Sequence, residues 1–295
     1  MGKRLTALPD SASALRLVVL AGQSKGARDP LAERFGQSHR SLIPLAGQPM
    51  IAHVLRTASL HPLVESLAIC IEREAFGPVW DVLTRLPGRG TVALVEARAH
   101  LADSVRDAVQ GWDGPVLVTT ADHALLSAEA IDAVAAAMAG ADAVIALSPR
   151  HCVEAAHRSA PHRFLSLQDG DYAPCDIYGL SGPGAIGAVE VFRGNGVLDR
   201  SGARIRRAAG IVGLLLMRCR MLTLAKAITF ASRRLGLRLG AVILEDGAQA
   251  IDVDDDHSYA AVRDLLESRS AASTADSTAA AEPAVAHARR AASRV

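Results

Sequence analysis

The chain alternates between short apolar runs and longer segments whose apolar positions recur with helical spacing. Five of the longer segments are predicted helices, and they are Met50–Ser59, Phe76–Leu86, Leu101–Gln110, Ala128–Met138 and Tyr259–Ser268. The short runs, rich in Val, Ile, Leu and Ala, are predicted strands, and they are Arg16–Leu20, Val64–Ile71, Thr91–Val95, Pro115–Thr119, Ala143–Leu147, Ala185–Val191 and Gly240–Leu244. Strand followed by helix, repeated, predicts a three-layer α/β/α fold with a Rossmann-like, mostly parallel sheet.

The same patterns set the expected domain organisation. Residues 1–268 are predicted to form a single domain, interrupted by a basic helical insertion at about 193–240 in which residues 200–237 form one or two helices. Residues 269–295 are rich in Ala and Ser and lack large apolar side chains, so they are predicted to be a disordered tail.

Composition narrows the class of protein. Half of the 295 residues are hydrophobic but only 3% are aromatic, so the core must be aliphatic. Four cysteines without a CxxC spacing indicate reduced thiols rather than disulfides or metal ligands. No signal peptide is expected at the N-terminus, and the longest apolar window, residues 208–217, is too short for a membrane span. We therefore expect a cytoplasmic protein.

Charge is unevenly distributed. The net charge is +1, yet eleven Lys and Arg residues lie between Arg193 and Gly240 with one acid, Asp199, which gives +10 for that segment and −9 for the remainder. Three interpretations stay open: a solvated helical face, peripheral contact with the anionic inner face of a membrane, or an electrostatic funnel for an anionic acceptor. Nucleic acid is not an expected partner, because no stacking aromatics accompany the charge.

A cation-rich loop follows the first predicted strand. In "LAGQSKGARDPLAERFGQSHRSLIPLAGQPMI", residues 20–51, Gly22 comes directly after the strand, and Lys25, Arg28 and Arg40 lie beyond it. Ligands of open α/β sheets bind at the carboxyl ends of the strands. Backbone N–H groups beside a glycine, together with loop cations, suit a phosphate group. A solvated, charged loop is the alternative.

Asp122 follows another buried strand, in "PVLVTTADHALL", residues 115–126. A carboxylate at that position is costly unless it is paired or bound to a cation. One or two carboxylates together with substrate phosphates are the usual ligands of Mg²⁺. The alternative is that Asp122 only caps the next turn, before a helix predicted to begin near Ser127.

A second acidic cluster lies in "AIDVDDDHS", residues 250–258. Asp252 and Asp254 alternate with apolar residues on a predicted short strand, so both carboxylates would project to one side. Asp255 or Asp256 is predicted to cap the helix that follows. The alternative is a solvated acidic turn.

The loop and the two acidic motifs, in this order, resemble the MobA-like nucleotidyltransferases. The opening of that family, L-A-G-G-x-x-x-R followed by a lysine and L-x-P-(L/V)-x-G-x-P-M-(I/L), is matched by Leu20-Ala21-Gly22-Gln23, Arg28, Arg40 and "LIPLAGQPMI". "ADHALL" matches the strand-end acid, with Ala124 in place of proline. "DVDDDHS" matches the closing motif, with Asp255 in place of threonine and no acid at the last position. The resemblance covers about residues 16–268.

The resemblance implies a fold of the nucleotide-diphospho-sugar transferase type. It also implies Mg²⁺-dependent transfer of an NMP from an NTP to a small phosphorylated acceptor (a sugar-, polyol- or cofactor-phosphate) with release of pyrophosphate. The implied catalytic residues are Arg28, Arg40 and Asp122, and the implied metal ligands are Asp122, Asp252 and Asp254. The implied nucleotide-binding residues are Leu20, Ala21, Gly22, Gln23, Arg28, Arg40, Glu96 and Ser104, and the implied acceptor-binding residues are Asp176 and Arg163.

Two departures from the family pattern bear directly on the proposed chemistry. Arg40 stands where the family has a lysine, and a planar guanidinium is not equivalent to a compact ammonium. Asp176 lies where relatives carry an Asn-containing segment, and it would repel an anionic acceptor unless a cation such as Arg163 pairs with it. Two rival functions follow: a metal-dependent glycosyltransferase of similar fold, which would release no pyrophosphate, and a non-catalytic nucleotide-binding or regulatory relative, which Arg40 favours.

Overall fold

The computed structural model describes residues 14–23, 29–88, 90–158, 164–192 and 220–271. Its strands are β1 (Leu15–Leu20), β2 (Pro44–Leu45), β3 (Gln48–Pro49), β4 (Val64–Ile71), β5 (Thr91–Glu96), β6 (Val116–Thr120), β7 (Ala143–Pro149), β8 (Leu165–Leu167), β9 (Gly170–Leu180) and β10 (Leu239–Ile243). Its α-helices are α1 (Pro30–Arg34), α2 (Met50–Leu60), α3 (Phe76–Leu83), α4 (Leu101–Ala108), α5 (Ala128–Ala137), α6 (Arg150–Ala156), α7 (Leu224–Leu235) and α8 (256–271). Short 3-10 helices span Arg40–Leu42, Arg73–Ala75, Pro183–Phe192 and Gly247–Ala250.

The described strands form one eight-stranded sheet and a separate β2–β3 pair. The order in the large sheet is β10-β7-β9-β6-β1-β4-β5, with β8 paired to β9 outside that path. Strands β6, β1, β4 and β5 run parallel to one another, and β7 runs parallel to β10. Strand β9 is antiparallel to both β6 and β7. The mostly parallel, Rossmann-like sheet with helices is therefore confirmed.

The two faces of the sheet belong to different hydrophobic clusters. Leu17 and Val19 of β1 pack in a cluster that includes α2 and α5, whereas Val18 packs in a cluster that includes α4. All three residues are fully buried. Parallel strands covered on both faces read as continuous apolar runs, which is why β1, β4 and β6 are recognisable in the sequence.

The predicted strand Ala185–Val191 is wrong. Residues Ala185–Val191 lie in the 3-10 helix Pro183–Phe192. The two alanines that the helix buries, Ala185 and Ala188, are three residues apart, which is the spacing that brings side chains to one face of a 3-10 helix. The strand that lies between β7 and β6 in the sheet is β9. It was not predicted, because its Gly, Pro and Asp residues are not typical of a strand.

The described residues of the basic segment join the main fold. Strand β10 begins at Leu239, inside the predicted insertion, and pairs with β7, while α7 supplies one of the predicted helices. Two arginines of the basic segment pair with acids of the main fold. Arg220 Nη2 lies 2.7 Å from Asp171 Oδ1, and Arg238 Nη2 lies 2.6 Å from Asp142 Oδ1. Residues 193–219 lie outside the described part of the chain.

The C-terminal boundary differs slightly from the predicted one. Helix α8 continues to residue 271, so it includes the first three residues of the predicted tail. The remaining tail residues, 272–295, lie outside the described part. Within that part, no helix combines the length and the apolar character that crossing a bilayer requires.

Candidate active site

The candidate site lies at the edge of the sheet where the parallel strands β1, β4 and β6 end. Backbone hydrogen bonds continue just past the ends of these strands: the Ala21 N–H donates to the Cys70 carbonyl, and the Ala121 N–H donates to the Leu20 carbonyl, each over 2.9 Å. The predicted nucleotide-binding loop therefore leaves the sheet from a fixed position. This edge is where open α/β sheets bind their ligands.

Gly22 allows the loop to pass close to the end of β5. A Cβ atom at Gly22 would lie 2.7 Å from the Cβ of Ala97 and 3.3 Å from Oε1 of Glu72. The Ala97 methyl group cannot rotate away, so a larger residue at position 22 would force the backbone to move. The glycine of the motif thus has a packing requirement that the structure makes visible.

A carboxylate holds the next residue of the loop. Glu72, which follows β4, accepts a hydrogen bond from the Gln23 N–H over 2.6 Å and lies 3.4 Å from Nε2 of the buried His39. The Gln23 side chain donates to the Ser38 carbonyl over 3.0 Å. Burial raises the pKa of Glu72, but the interaction with His39 and the hydrogen bond from the Gln23 N–H outweigh it, and the pKa is lowered overall.

The two acidic motifs meet at this edge. The Val253 N–H donates to the Asp122 carbonyl over 3.2 Å, so Asp252 and Asp254 flank a residue that is bonded to Asp122. Asp122 is 8% exposed and Asp252 is 9% exposed. Ser127, rather than Asp122, caps α5, because its Oγ accepts a hydrogen bond from the Ala130 N–H.

The predicted strand that carries Asp252 and Asp254 is absent from the structure. Residues 251–254 run between the 3-10 helix Gly247–Ala250 and α8 without forming a strand, because their backbone bonds go to turns and to the Asp122 carbonyl. The predicted cap of the following helix is present. Asp255 Oδ1 accepts hydrogen bonds from the N–H groups of His257 and Ser258.

Gln249 joins the two acidic segments a second time. Its buried amide donates to the Leu125 carbonyl over 2.9 Å, and its Oε1 accepts from the Ser127 N–H over 3.3 Å. Arg269 of α8 also donates to the Leu125 carbonyl, over 2.9 Å. These bonds hold the turn that carries Asp122 against the segment that carries Asp252.

Arg40 is the cation at the centre of these acids. Its Nη1 lies 3.7 Å from Asp122 Oδ2 and 3.4 Å from Asp254 Oδ1, and it donates to the Val253 carbonyl over 3.4 Å. Its other two nitrogens contact Asp29. One guanidinium therefore faces three carboxylates.

The donor set fits a hard divalent cation bound together with phosphates. Asp122, Asp252 and Asp254 offer only oxygen ligands, which Mg²⁺ prefers, and Mg²⁺ usually takes one or two carboxylates and completes its shell with water and substrate. In the described part of the chain, no three His, Cys, Asp or Glu side chains are grouped as a ready metal cage. An ion at this site would therefore need oxygen atoms from a ligand.

Asp176 reaches the same edge from β9. The pairing of β7 with β9 is irregular between Ile145 and Leu147, and Asp176, on the β9 segment opposite, has a left-handed φ of 45°. Asp176 is buried and accepts a hydrogen bond from the Tyr178 hydroxyl over 2.9 Å. A positive φ is uncommon outside glycine, although Asp and Asn adopt it more readily than most residues.

His123 lies beneath this group. It is fully buried, and Nδ1 lies 3.2 Å from the Thr119 hydroxyl. Burial lowers the pKa of His123 to about 4, despite the opposing charge of Asp176. His123 is therefore neutral near pH 7 and contributes packing and hydrogen bonding rather than positive charge.

The structure describes two further predicted site residues, Glu96 and Ser104. Glu96 is exposed at the end of β5, where its Oε2 pairs with Arg73 Nη2 over 2.8 Å. Ser104 is buried in α4 and its Oγ accepts from the Arg98 N–H. The predicted nucleotide contacts of Glu96 and Ser104 stay predictions. So do the nucleotide contact of Arg28 and the acceptor contact of Arg163, because both arginines lie outside the described residues.

The sequence profile of the MobA-like NTP transferase domain matches residues 17–211, which is more than half of the chain. The chain belongs to the MobA-like NTP transferase family. It is accordingly an enzyme of the nucleotidyltransferase class, and the family resemblance seen in the sequence is confirmed. A comparison with curated proteins finds no match.

Solved structures similar to this NTP transferase include three that the chain covers over their full length. A hypothetical transferase from Thermus thermophilus is 24% identical over 84% of this chain, with a TM-score of 0.65. A 4-diphosphocytidyl-2C-methyl-D-erythritol synthase from Anaerococcus prevotii is 11% identical over 87%, with a TM-score of 0.53. A CMP:2-keto-3-deoxy-manno-octonic acid synthetase in complex with CTP is 13% identical over 87%, with a TM-score of 0.52. These similarities confirm the fold.

Several residues that build the site of this NTP transferase are missing from the predicted set. They are Asp29, His39, Glu72 and Gln249. Only Asp29 carries a local signal, because an aspartate before Pro30 is typical of a helix N-terminus. The others act through contacts between residues far apart in the chain.

Proposed function

We propose that the protein transfers an NMP from an NTP to a small phosphorylated acceptor, with Mg²⁺ and with release of pyrophosphate. The observation that carries the proposal is the placement of Arg40 Nη1 between the Asp122 and Asp254 carboxylates, at 3.7 and 3.4 Å, at the edge where the Gly22 loop leaves the sheet. Nucleotidyl transfer requires positively charged groups that neutralise the negative charge of the phosphates, and it requires little general base catalysis. This arrangement supplies a cation together with carboxylates that can bind a metal ion.

Asp122 and Asp252, with Asp254 as a further candidate, would hold Mg²⁺, which neutralises phosphate charge when bound. The carboxylates of the site and the phosphates of a nucleotide are all negatively charged, and a divalent cation bound by both would remove their mutual repulsion. We therefore expect nucleotide binding to depend on the divalent cation.

The chain's own groups would position the nucleotide. Backbone groups of Leu20, Ala21, Gly22 and Gln23 line the end of β1, and Glu72 fixes the Gln23 N–H. The Arg40 guanidinium is a cation with several N–H donors, so its Nη1 can stabilise negative charge that develops on the α-phosphate. Arg28 is proposed to bind the β- and γ-phosphates. These roles place the reacting phosphorus between the loop and the acids.

The acceptor is proposed to approach from the β9 side. Asp176, which accepts a hydrogen bond from the Tyr178 hydroxyl, is proposed to line the acceptor site at this edge, and Arg163 is the cation proposed to bind the negative charge of the acceptor there. An acceptor phosphate oxygen would attack the α-phosphorus as the bond to the pyrophosphate group breaks. The similar structure bound to CTP makes CTP the first nucleotide to test.

A pyrophosphate-release assay tests the proposal. The four NTPs would each be incubated with Mg²⁺ and a panel of sugar-, polyol- and cofactor-phosphates, using the wild type and Asp122→Ala. We expect release with one nucleotide–acceptor pair and loss of the signal in Asp122→Ala. Unchanged activity in Asp122→Ala would show that the metal assignment is wrong. Transfer of sugar from a nucleotide-sugar without pyrophosphate release would instead identify a glycosyltransferase.

A non-catalytic nucleotide-binding role is the second candidate. It is favoured by the three carboxylates that already occupy Arg40, because they oppose its movement towards a phosphate. Calorimetric titration with each NTP and Mg²⁺ distinguishes the two candidates. Binding without any turnover across the acceptor panel would support the second candidate and contradict the first.

We further propose that residues 193–240 bring the protein into peripheral contact with anionic lipid. The excess of arginine in this segment supports the proposal, while the pairing of Arg220 and Arg238 with acids of the main fold reduces the charge available for it. Flotation with anionic and with neutral vesicles tests it. The proposal predicts that the protein binds vesicles only when they contain anionic lipid, and that added salt weakens this binding. Equal binding to neutral vesicles, or binding that salt does not weaken, would contradict it.

A further inference from the structure

The guanidinium of Arg40 divides its nitrogens between two directions. Nε lies 2.6 Å and Nη2 lies 2.5 Å from Oδ2 of Asp29. Nη1 points the other way, towards Asp122 and Asp254. The Arg40 side chain is only 26% exposed and that of Asp29 only 13%, so the contact between them is largely shielded from water.

Asp29 is itself held in place. Its Oδ1 accepts hydrogen bonds from the N–H groups of Leu31 and Ala32, each over 3.0 Å, and Pro30 begins α1 directly after it. Oδ1 of Asp29 therefore caps α1, while Oδ2 accepts the contacts from Arg40. A charge-assisted contact from a carboxylate that is already fixed orients the guanidinium at little further entropic cost.

A lysine at position 40 would meet a different situation. Its ammonium is a single point charge, so the nitrogen that reaches Asp29 is the same nitrogen that must reach the phosphate. Arginine avoids this conflict because Nε and Nη2 satisfy Asp29 while Nη1 remains directed into the site. Asp29 and Arg40 thus suit each other, and Asp29 does not suit a lysine.

We infer that Asp29 is a positioning residue that adapts this active site to arginine by holding Nε and Nη2 of Arg40 and reserving Nη1 for the nucleotide phosphate. The inference rests on the proposed nucleotidyl transfer and adds a reason for the departure from the family lysine. It has a specific consequence: the damage caused by Arg40→Lys depends on whether Asp29 is present.

Four proteins test this consequence: the wild type, Arg40→Lys, Asp29→Ser and the double variant Asp29→Ser/Arg40→Lys. Serine is chosen because it also caps helices well but is too short to hold residue 40. Each protein is assayed for kcat and KM in pyrophosphate release, for affinity of the Mg²⁺–NTP complex by calorimetry, and for thermal unfolding.

We expect Arg40→Lys to lower kcat by about 100-fold, the usual cost of losing one donor that stabilises transition-state charge. The double variant should then recover at least about fivefold relative to Arg40→Lys, because coupled neighbours deviate from additivity by such factors. The KM of the acceptor should stay unchanged throughout. A merely structural role for Asp29 would lower the unfolding temperature without producing this rescue.

Arg34 and Asp256 provide the matched control. They form an exposed arginine–aspartate pair between α1 and α8, with side chains 62% and 64% exposed. Arg34→Lys, Asp256→Ser and their combination should leave kcat and nucleotide affinity within about twofold, because exposed ion pairs contribute little.

Two results would overturn the inference. One is a double variant that is no more active than Arg40→Lys, and the other is strictly additive effects on nucleotide affinity. If the folded wild type binds NTP but releases no pyrophosphate, the proposed reaction fails, and the calorimetric cycle still decides whether Asp29 and Arg40 are coupled. A folded wild type that binds no NTP would overturn both the function and the inference.

Discussion

The backbone N–H of Val253 donates a hydrogen bond to the carbonyl oxygen of Asp122 over 3.2 Å. This bond joins two acidic segments that lie far apart in the chain. Because it uses only backbone atoms, the side chain of Asp122 can be changed without breaking the connection. The acids of the site can therefore be tested one at a time while their backbone framework stays intact.

Replacement of Asp122 by asparagine should abolish nucleotidyl transfer without unfolding the protein. The variant keeps the volume of the side chain and the bond to Val253, but it removes the charge that faces Arg40 and the proposed metal. We expect kcat to fall by at least about 100-fold. Pyrophosphate release measures the effect, and Asp264→Asn, at an exposed acid of α8, is the control. Comparable kcat values for the two variants would contradict the assignment.

Replacement of Gly22 by alanine should disturb the nucleotide loop. The new Cβ would lie 2.7 Å from Ala97, so the loop must shift, and such overpacking costs about 1–3 kcal/mol of unfolding free energy. Urea unfolding measures this change, and calorimetry should show weaker Mg²⁺–NTP binding. Gly77→Ala in α3 is the control, because a Cβ there would meet no described atom within 4 Å apart from its chain neighbours and the backbone of its own helix. Alanine also favours helix over glycine by about 0.5–1 kcal/mol. Normal nucleotide affinity in Gly22→Ala would show that the loop tolerates the shift.

Removal of the Glu72 charge should change how stability depends on pH. The pKa of Glu72 is lowered in the folded protein, so its contribution is complete above the unfolded-state pKa and is lost as pH falls through the folded-state pKa. Glu72→Gln should therefore be less stable than the wild type at pH 7, by about 1–2 kcal/mol, and the difference should shrink in acid.

This difference is measured by urea unfolding at about five pH values between about pH 3 and pH 7, a range that includes the usual pKa of glutamate. Glu74→Gln, which changes an exposed acid two residues away, should show no such dependence. If the difference in unfolding free energy between the wild type and Glu72→Gln stays constant across this range, the prediction is contradicted. The contacts of Glu72 with the Gln23 N–H and His39 would then stabilise the fold without needing its charge.

Replacement of Asp176 by asparagine should improve the affinity for a phosphorylated acceptor. Asparagine tolerates the left-handed backbone and can still accept the Tyr178 hydrogen bond, but it no longer repels an anion. A like charge in a partly screened site costs about 1 kcal/mol or more, so the acceptor KM should fall by about fivefold while the NTP KM stays constant. Tyr178→Phe, which keeps the charge, is the control. A higher acceptor KM in Asp176→Asn would show that the carboxylate binds the acceptor directly.

The sequence predicted the part of the fold in which local pattern and tertiary environment agree. Strands β1, β4 and β6 are buried on both faces and are read as apolar runs, and the motifs at their ends therefore fall at one edge of the sheet. Strand β9 escaped prediction because its position depends on β6 and β7 rather than on its own composition, GDYAPCDIYGL. Its context decides its structure.

The site shows the same division. Asp122 is found because it follows a buried apolar strand, and Arg40 is found because it lies just before the family-like motif "LIPLAGQPMI". The partners of Arg40 could not be predicted, since its contacts with Asp29 and Asp254 depend on how a loop folds back against the segment before α8. Side-chain geometry of this kind has no periodic signature in a sequence.

The reversed direction of β9 separates the two halves of the proposed site. Because β9 is antiparallel to β6 and β7, its first residues, next to the β8 hairpin, lie at the edge where the parallel strands end. The proposed nucleotide half lies at the ends of β1, β4 and β6, whereas the proposed acceptor residue Asp176 lies on β9. A change of length in the β8–β9 turn would therefore alter the proposed acceptor half and leave the strands of the proposed nucleotide half in place.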